Sequence, residues 1–499
     1  MKASWPPSKP ALPDGFQCVD VVASYTSAID SWRKHFPALF AARFAIALAP
    51  KKGLKPKLRA ALKIAKWWLE VCIRGRAEDV PLPACDVVLY YSSRKPSFQP
   101  AIDMLAERLS RRGIWCAVLC PSRMEIWSAS SGSGSPNIQP VPAYKQLFQH
   151  GSSRLIGLKS LCQSFWIACV LFTIILLKRP GLLTSVFANP FGVWCDLLGS
   201  LLRFRAAQNL LRGLRPKMIV TSGEHVPFAA ELLLCDEGTK TYRACFFNEH
   251  PTAAMLPILS NEVWVWNDLV SEVLRGISSM PSNASFSVVG NAQVDFALQH
   301  DEGDEARWQQ LQGHGRFEHV VLFLSEYDGS EAVDTSRLMA ESLHWLAHAA
   351  RECSGWCFIY KARPFHFDKD VPGQDFFRRI PNFVLPDCEL SLTDYLSWSK
   401  VRAVAACGST GLFVAAGAGK VALRLLPSST SVPLPVIDDV SFAVHSAEEL
   451  VQALRRIELG NLTKPSRYLD RAFPYRGCTL DRMESLCLER LSELQKNRA

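Results

Sequence analysis

Four side chains in this sequence can take a proton and stand where an apolar run gives way to a polar loop. Tyr242 to Phe247 runs into Asn248-Glu249-His250-Pro251, and Lys217 to Thr221 runs into Ser222-Gly223-Glu224-His225. A general base must stand within hydrogen-bond reach of the proton it removes. The carboxyl ends of strands in open α/β sheets are where ligands sit. His250, Glu249, Glu224 and His225 are therefore candidate bases, although His250 could equally bond the backbone ahead of Pro251. Asp236-Glu237-Gly238 adds two carboxylates. Its plainer reading is a glycine that ends a helix over 227–235, with acids in a last turn whose dipole they oppose.

A second group of residues suits an anion. Gly408-Ser409-Thr410-Gly411 lies between an apolar strand and a small-residue helix. Unpaired N–H groups at such a junction bind phosphate, and glycine lets it approach. A simple helix cap would use the same residue types. Lys361 and Arg363 end another predicted strand and could offset phosphate charge, or could form an ordinary basic loop. Gly290-Asn291, followed by Asp295, closes the apolar run Phe286 to Val289 in the manner of a joint between two Rossmann-like halves. Asp368-Lys369-Asp370 has a metal-binding spacing but falls in a loop, so no metal is expected.

The elements that must position these groups alternate. Strands are expected at 86–91, 114–120, 217–221, 242–247, 262–266 and 286–289, then at 320–324, 357–361, 401–407 and 421–425. Helices are expected at 98–112, 227–235, 268–275, 334–352, 391–398, 411–418, 446–457 and 478–496. The helix at 98–112 stops on Arg111, Arg112 and Gly113, which are termination signals. Strand, helix and strand within so short a span imply parallel pairing. The Ser-, Gly- and Pro-rich stretch 128–142 is expected to be a loop. This divides the chain into a basic helical region over 1–83, a Rossmann-like domain over 84–300 with an apolar insertion at 155–203, a second Rossmann-like domain over 301–475, and a terminal helix over 476–499.

At 499 residues the chain exceeds one ordinary core, and 48% hydrophobic with 21% charged residues describes a globular protein. The net charge of +9 is concentrated. Residues 51–76 carry nine Lys or Arg against the single acid Glu70, so the remainder is nearly neutral and no nucleic-acid-binding surface is expected. With Trp67 and Trp68 beside its apolar stripe, that segment reads as a helix lying on an anionic membrane surface, or as one packed on the main body. The uncharged run 164–177 is shorter than the ~20 residues a membrane span needs. A span there would also part strands 86–91 and 217–221, which should share a sheet. It reads as a buried or interfacial helix. The sixteen cysteines are scattered without a metal-ligand pair, as in a reducing compartment. No signal-peptide core follows Met1, and a cytoplasmic protein is expected.

In their order, five of these segments resemble the GT-B glycosyltransferase superfamily in its bacterial surface-polysaccharide branches. Related families are the UDP-N-acetylglucosamine 2-epimerases, the teichoic acid glycerophosphotransferases and the bacterial sialyltransferases. The segments are Phe246 to His250, the strand Val263 to Trp266 with its helix, Val288-Val289-Gly290-Asn291 with Asp295, Lys361-Ala362-Arg363-Pro364, and Gly408-Ser409-Thr410. The resemblance spans roughly 215–460. It implies an α/β protein of two Rossmann-like domains facing a cleft, with the basic N-terminal extension added. It also implies a metal-independent enzyme that moves a sugar from a nucleotide-sugar donor to a lipid-linked or growing surface glycan, on the inner face of the cytoplasmic membrane. No cofactor beyond that co-substrate is implied. Gly290, Asn291, Lys361, Arg363, Gly408, Ser409, Thr410 and Gly411 would then contact the donor. Asp236 or Glu237 would be the base if the enzyme is of the CMP-dependent sialyl or Kdo type. Two positions depart from the pattern: Arg363 stands where the usual residue is His, with His366 close by, and Val414 stands where many relatives carry an acid. A sugar-nucleotide epimerase and a non-catalytic scaffold are the alternatives.

Overall fold

The computed structural model describes residues 84–91, 99–120, 138–142, 207–208, 210–223, 229–235, 241–246, 258–277, 284–299, 317–325, 335–362, 374–385, 390–427, 434–463 and 466–497. These residues divide into two compact units. One comprises Met1–Trp264, Ser271–Ser287 and Met483–Ala499; the other comprises Val265–Val270 and Val288–Arg482.

The first unit is built on β1 (Val87–Tyr91), α1 (Gln99–Arg111), β2 (Cys116–Cys120), β3 (Ile138–Pro142), β4 (Met218–Ser222), α2 (Ala229–Leu234), β5 (Tyr242–Phe246), β6 (Glu262–Val265), α3 (Asp268–Ile277) and β7 (Ser285–Val288). The sheet order is β3-β2-β1-β4-β5-β6-β7. β1 pairs β2 and β4 in parallel, and both of its faces are buried, which explains its unbroken apolar sequence. The direct β1–β4 pair is the sheet partnership expected from the sequence. α1 ends as its residues dictate: Gly113 at φ 79° donates to Ser110 O and Ile114 donates to Leu109 O.

One expectation fails in this sheet. Part of the 128–142 stretch is not loop but β3, which adds in parallel to β2 over Cys116 to Cys120. Pro140 and Pro142 concealed it in the sequence. A proline lacks an N–H for the ladder, and an edge strand is the position where that loss is tolerated.

At the amino end of β6, Glu262 is wholly buried and accepts hydrogen bonds from the Tyr242 hydroxyl at 2.9 Å, from the Ser287 hydroxyl, and from Arg490 Nε and Nη2 at 3.2 and 3.1 Å. Arg490 belongs to the C-terminal helix, so this network fastens residues 483–496 to the sheet. Burial alone would raise the Glu262 carboxyl, but the bonds from Arg490, Ser287 and Tyr242 outweigh it and hold its pKa below the ordinary value.

The second unit contains α4 (Ala292–Leu298), β8 (His319–Leu324), α5 (Thr335–Glu352), β9 (Trp356–Lys361), α6 (Gln374–Phe377), β10 (Phe383–Val384), α7 (Leu392–Ser397), β11 (Val401–Ala406), α8 (Gly411–Gly417), β12 (Val421–Leu425), α9 (Pro435–Val440), β13 (Phe442–Val444), α10 (Ala447–Glu458), α11 (Ser466–Ala472) and the start of α12 (Thr479–Lys496). Its sheet runs β10-β9-β8-β11-β12-β13, and every pair is parallel. The chain starts mid-sheet at β8, works outward to β10, then returns to β11 on the other side. This is a doubly wound sheet with its switch point between β8 and β11. α5 and α10 share one core with β9 and β10, built around Leu343, Leu346, Phe358, Phe383 and Leu454.

In the Gly290–Asp295 segment the chain passes directly from β7 into α4. Asn291 caps α4, accepting from Gln293 N at 2.9 Å, and Asp295 lies in the first helical turn. Its carboxylate accepts from Gly477 N and Thr479 N, each at 2.7 Å. Gly290 sits at φ 90°, and a Cβ there would lie 2.7 Å from Thr479 Oγ1 and 3.1 Å from Tyr475 Cβ. Only glycine suits both that backbone and that space. The segment therefore clasps residues 475–479 inside the second unit.

Two outcomes are expected. Glu262→Gln should lower unfolding free energy by about 3 kcal/mol near neutral pH, because it weakens a buried charge pair. The Glu262 pKa is depressed in the fold, so its contribution is complete above the unfolded value of about 4.3 and fades as pH falls through the folded value. The gap in melting temperature between wild type and variant should thus narrow below about pH 4; a constant gap would contradict it. Gly290→Ala should cost about 3 kcal/mol in chemical denaturation. Thr479→Ala added to it should restore the steric part and leave the backbone part.

Candidate functional site

The residues best placed for ligand chemistry stand at the carboxyl edge of the second sheet. β11 ends at Ala406, and Cys407-Gly408-Ser409-Thr410 carries the chain into α8. This loop leaves the sheet beside β8, where neighbouring strands send their connections in different directions. Ser409 and Thr410 are partly exposed. The Ser409 hydroxyl accepts from Gly411 N at 3.2 Å, so it caps α8 as its residue type allows. Thr410 contributes no side-chain cap. Among the described residues, the N–H groups of Ser409 and Thr410 and the Thr410 hydroxyl make no hydrogen bond. Three donors are thus presented together, which is what a phosphate oxygen accepts.

The glycines of the loop have packing reasons. A Cβ at Gly411 would stand 2.4 Å from Leu324 Cδ1 and 3.0 Å from Leu392 Cδ2. A Cβ at Gly408 would stand 3.1 Å from Leu434 Cδ1. α8 itself is buried along all seven residues. Its Gly417 lies against Val294 and Phe473, and Phe413 stacks on Trp266 at 4.6 Å and tilts against Phe473 at 4.5 Å. Its small side chains are needed for that close approach. Val414 points into this interior with no exposure, so α8 offers no carboxylate to a ligand at that position.

Lys361 ends β9 on the same edge, two strands from β11. Its ammonium donates to Leu390 O at 2.6 Å and lies 5.8 Å from the centre of the Tyr395 ring. This pulls the residues just before α7 toward the strand end. There Ser391 and Asp394 form a reciprocal capping box at 2.8 and 3.1 Å. Between the two strands, β8 is followed by Ser325, whose N–H donates to Lys361 O at 3.0 Å. Its hydroxyl bonds the Tyr360 phenol, which burial pushes to a higher pKa.

Arg424 was not anticipated. It is the fourth residue of β12, beside Ala406, and is 4% exposed. Its Nε donates to Cys407 O at 3.0 Å and its Nη1 pairs with Asp438 in the first turn of α9. Asp438 also accepts from Leu434 N at 2.8 Å. The signal in the sequence was a single charge inside Val-Ala-Leu-Arg-Leu.

The structure thus brings Lys361, Gly408, Ser409, Thr410 and Gly411 to one sheet edge. Gly290 lies against Thr479 and Tyr475, and Asn291, 4% exposed, caps α4. Glu224, His225, Asp236, Glu237, Glu249, His250 and Arg363 lie outside the described residues, as do 51–76, 164–177 and Asp368 to Asp370. Among the described residues no His, Cys, Asp and Glu group could hold a metal ion, and no helix is long and apolar enough to cross a membrane.

No protein-family model matches the chain, and no curated protein matches it by sequence. Similarity appears in solved structures. A UDP-N-acetylglucosamine 2-epimerase from Rickettsia bellii superposes with a TM-score of 0.50 and 10% identity, over 83% of this chain and 98% of that one. A Listeria monocytogenes protein described as a candidate for the same enzyme gives 0.51 and 13%, over 82% and 97%. A glycosyltransferase from Rickettsia africae gives 0.48 and 10%, over 83% and 99%. At such identities the likeness speaks for architecture alone: the fold is the two-unit α/β fold of the GT-B type.

Proposed function

We propose that this protein is a glycosyltransferase that takes a sugar from a nucleotide-sugar donor and passes it to a lipid-linked or growing surface glycan. The observation that carries the reading is the loop Gly408–Gly411. It stands at the switch point of a doubly wound sheet, and among the described residues the N–H groups of Ser409 and Thr410 make no hydrogen bond there. In such sheets this is where nucleotide phosphates bind. The donor's diphosphate lies against Ser409 and Thr410, with Lys361 near enough in the sheet to share its charge. A departing nucleoside diphosphate needs that stabilisation as the glycosidic bond breaks. The acceptor's proton goes to one of His250, Glu249, Glu224 or His225 in the first unit, or to Asp236 or Glu237 if the donor is a CMP-sugar. No metal takes part. The basic residues of 51–76 hold the protein to an anionic membrane surface, close to a lipid-linked acceptor.

A second reading has one observation in its favour. Val414 is apolar and buried where an acid would help to hold a ribose, which suits a non-catalytic scaffold.

A thermal-shift titration with CMP, UDP, GDP and dTDP separates the two. A ligand that binds only the folded state raises the melting temperature by mass action. One nucleotide is expected to raise it, and Thr410→Glu, which places a negative charge at the partly exposed loop, should abolish that rise without lowering the ligand-free melting temperature. A rise with CMP assigns the sialyl or Kdo type. Folded protein that responds to none of the four belongs to the scaffold reading. Deletion of residues 51–76 should release the protein from phosphatidylserine vesicles and leave the nucleotide response intact; retained vesicle binding would refute the membrane assignment.

A further inference from the structure

Arg424 is a residue that the fold alone does not require. Its strand neighbours are Leu423 and Leu425, and its partners across the sheet are Ala406, which is buried, and Ala443, which is exposed. Arginine is rarely buried so deeply unless paired, and a buried ion pair is usually no more stabilising than apolar packing of similar volume. What the guanidinium does at that position is specific. One edge holds the carbonyl of Cys407, the residue that opens the loop of unpaired donors. Another edge pairs with Asp438. Asp438 in turn fixes the N–H of Leu434, whose side chain closes over Gly408.

We infer that Arg424, braced by Asp438, is the positioning residue of the anion-binding loop 407–411. This rests on the assignment of that loop to the donor phosphates. A peptide unit is planar and trans, so a carbonyl held on one side sets the following N–H on the other. Fixing Cys407 O therefore fixes the direction of the Gly408 N–H and the course of the chain through Ser409 and Thr410. The loop meets its ligand already shaped, and less ordering entropy is lost on binding. Arg424 does this from beneath the loop and does not touch the ligand. Asp438 keeps the buried charge compensated and anchors the start of α9 against the same loop. The pair thus ties the loop after β11 to the start of α9.

The test combines calorimetric titration and backbone amide hydrogen exchange on wild type, Arg424→Met, Arg424→Lys and Asp438→Asn. UDP, CMP, GDP, dTDP and inorganic pyrophosphate are the probes. Arg424→Met should weaken the wild-type ligand about tenfold or more, the scale of a lost charge-assisted hydrogen bond. Arg424→Lys keeps a donor and a charge and should recover part of that loss. Asp438→Asn should fall between wild type and Arg424→Met. Exchange at 408–412 should quicken in Arg424→Met without ligand, while exchange in α5 and α10 stays as in wild type. If wild type binds and Arg424→Met binds equally, the inference is overturned. If wild type binds none of the probes, the donor-site assignment falls and the inference falls with it, an outcome distinct from wild-type binding that Arg424→Met leaves unchanged. Should Arg424→Met fail to fold, Arg424→Lys and Asp438→Asn decide in the same way.

Discussion

The reversal of strand direction of travel at β8 and β11 is the constraint on which the site depends. Parallel strands joined by right-handed crossovers place their connecting helices on one face while the chain moves outward, and on the other face once it returns past the first strand. β8 goes outward to β9, whereas β11 goes on to β12 on the opposite side. The connections that follow these two neighbours part, and their backbone donors are left uncovered at the carboxyl edge. The loop after β11 owes its position to this geometry more than to any local preference of Gly, Ser or Thr.

Several buried or half-buried polar groups then fix details that apolar packing leaves open. Arg424 holds the start of the loop by one carbonyl. Lys361 holds Leu390 O and so sets where α7 begins. Asn267 joins Ala472 O to its own cap of Val270 N, and Asp295 grips two N–H groups of the 477–479 turn. Each is a charged or amide group that would be costly to bury without a partner. Each bonds main chain, Arg424 in addition to its pair with Asp438, so each orients backbone and not merely neighbouring side chains. In the first unit Glu262 does the same service for the C-terminal helix, but through side chains. That network sits at the amino end of β6, away from the edge where ligands bind.

Glycine has two meanings in this chain that a motif cannot separate. Gly290 is required by a positive φ and by the contact with Thr479 and Tyr475. Gly411 and Gly417 are required because Leu324, Leu392, Val294 and Phe473 approach where a side chain would be. The donors of the Ser409-Thr410 segment are open because the neighbouring glycines permit tight packing beneath it. Packing and ligand access are served by one arrangement.

Much of the fold was legible in the sequence. Buried parallel strands are continuous apolar runs bounded by polar loops, and β1, β4, β8, β9, β11 and β12 fell where such runs stand. The capped helices α7 and α10 start on serines that bond their own third turn residue, a local interaction that composition reveals. The Gly408–Gly411 junction, too, was marked by its residue types. β3 was hidden by its prolines, since edge position is a property of the whole sheet and not of the strand. The two-residue β10 and the three-residue β13 were too short to show a period. What only the tertiary structure decided was partnership: that Asp295 serves the 477–479 turn, that Gly290 lies beneath Thr479, and that Arg424 reaches Cys407 O. Local sequence sets backbone preference and burial, because these depend on a residue and its near neighbours. It does not set which distant carbonyl a buried guanidinium will meet, because that depends on how the strands are ordered in the sheet.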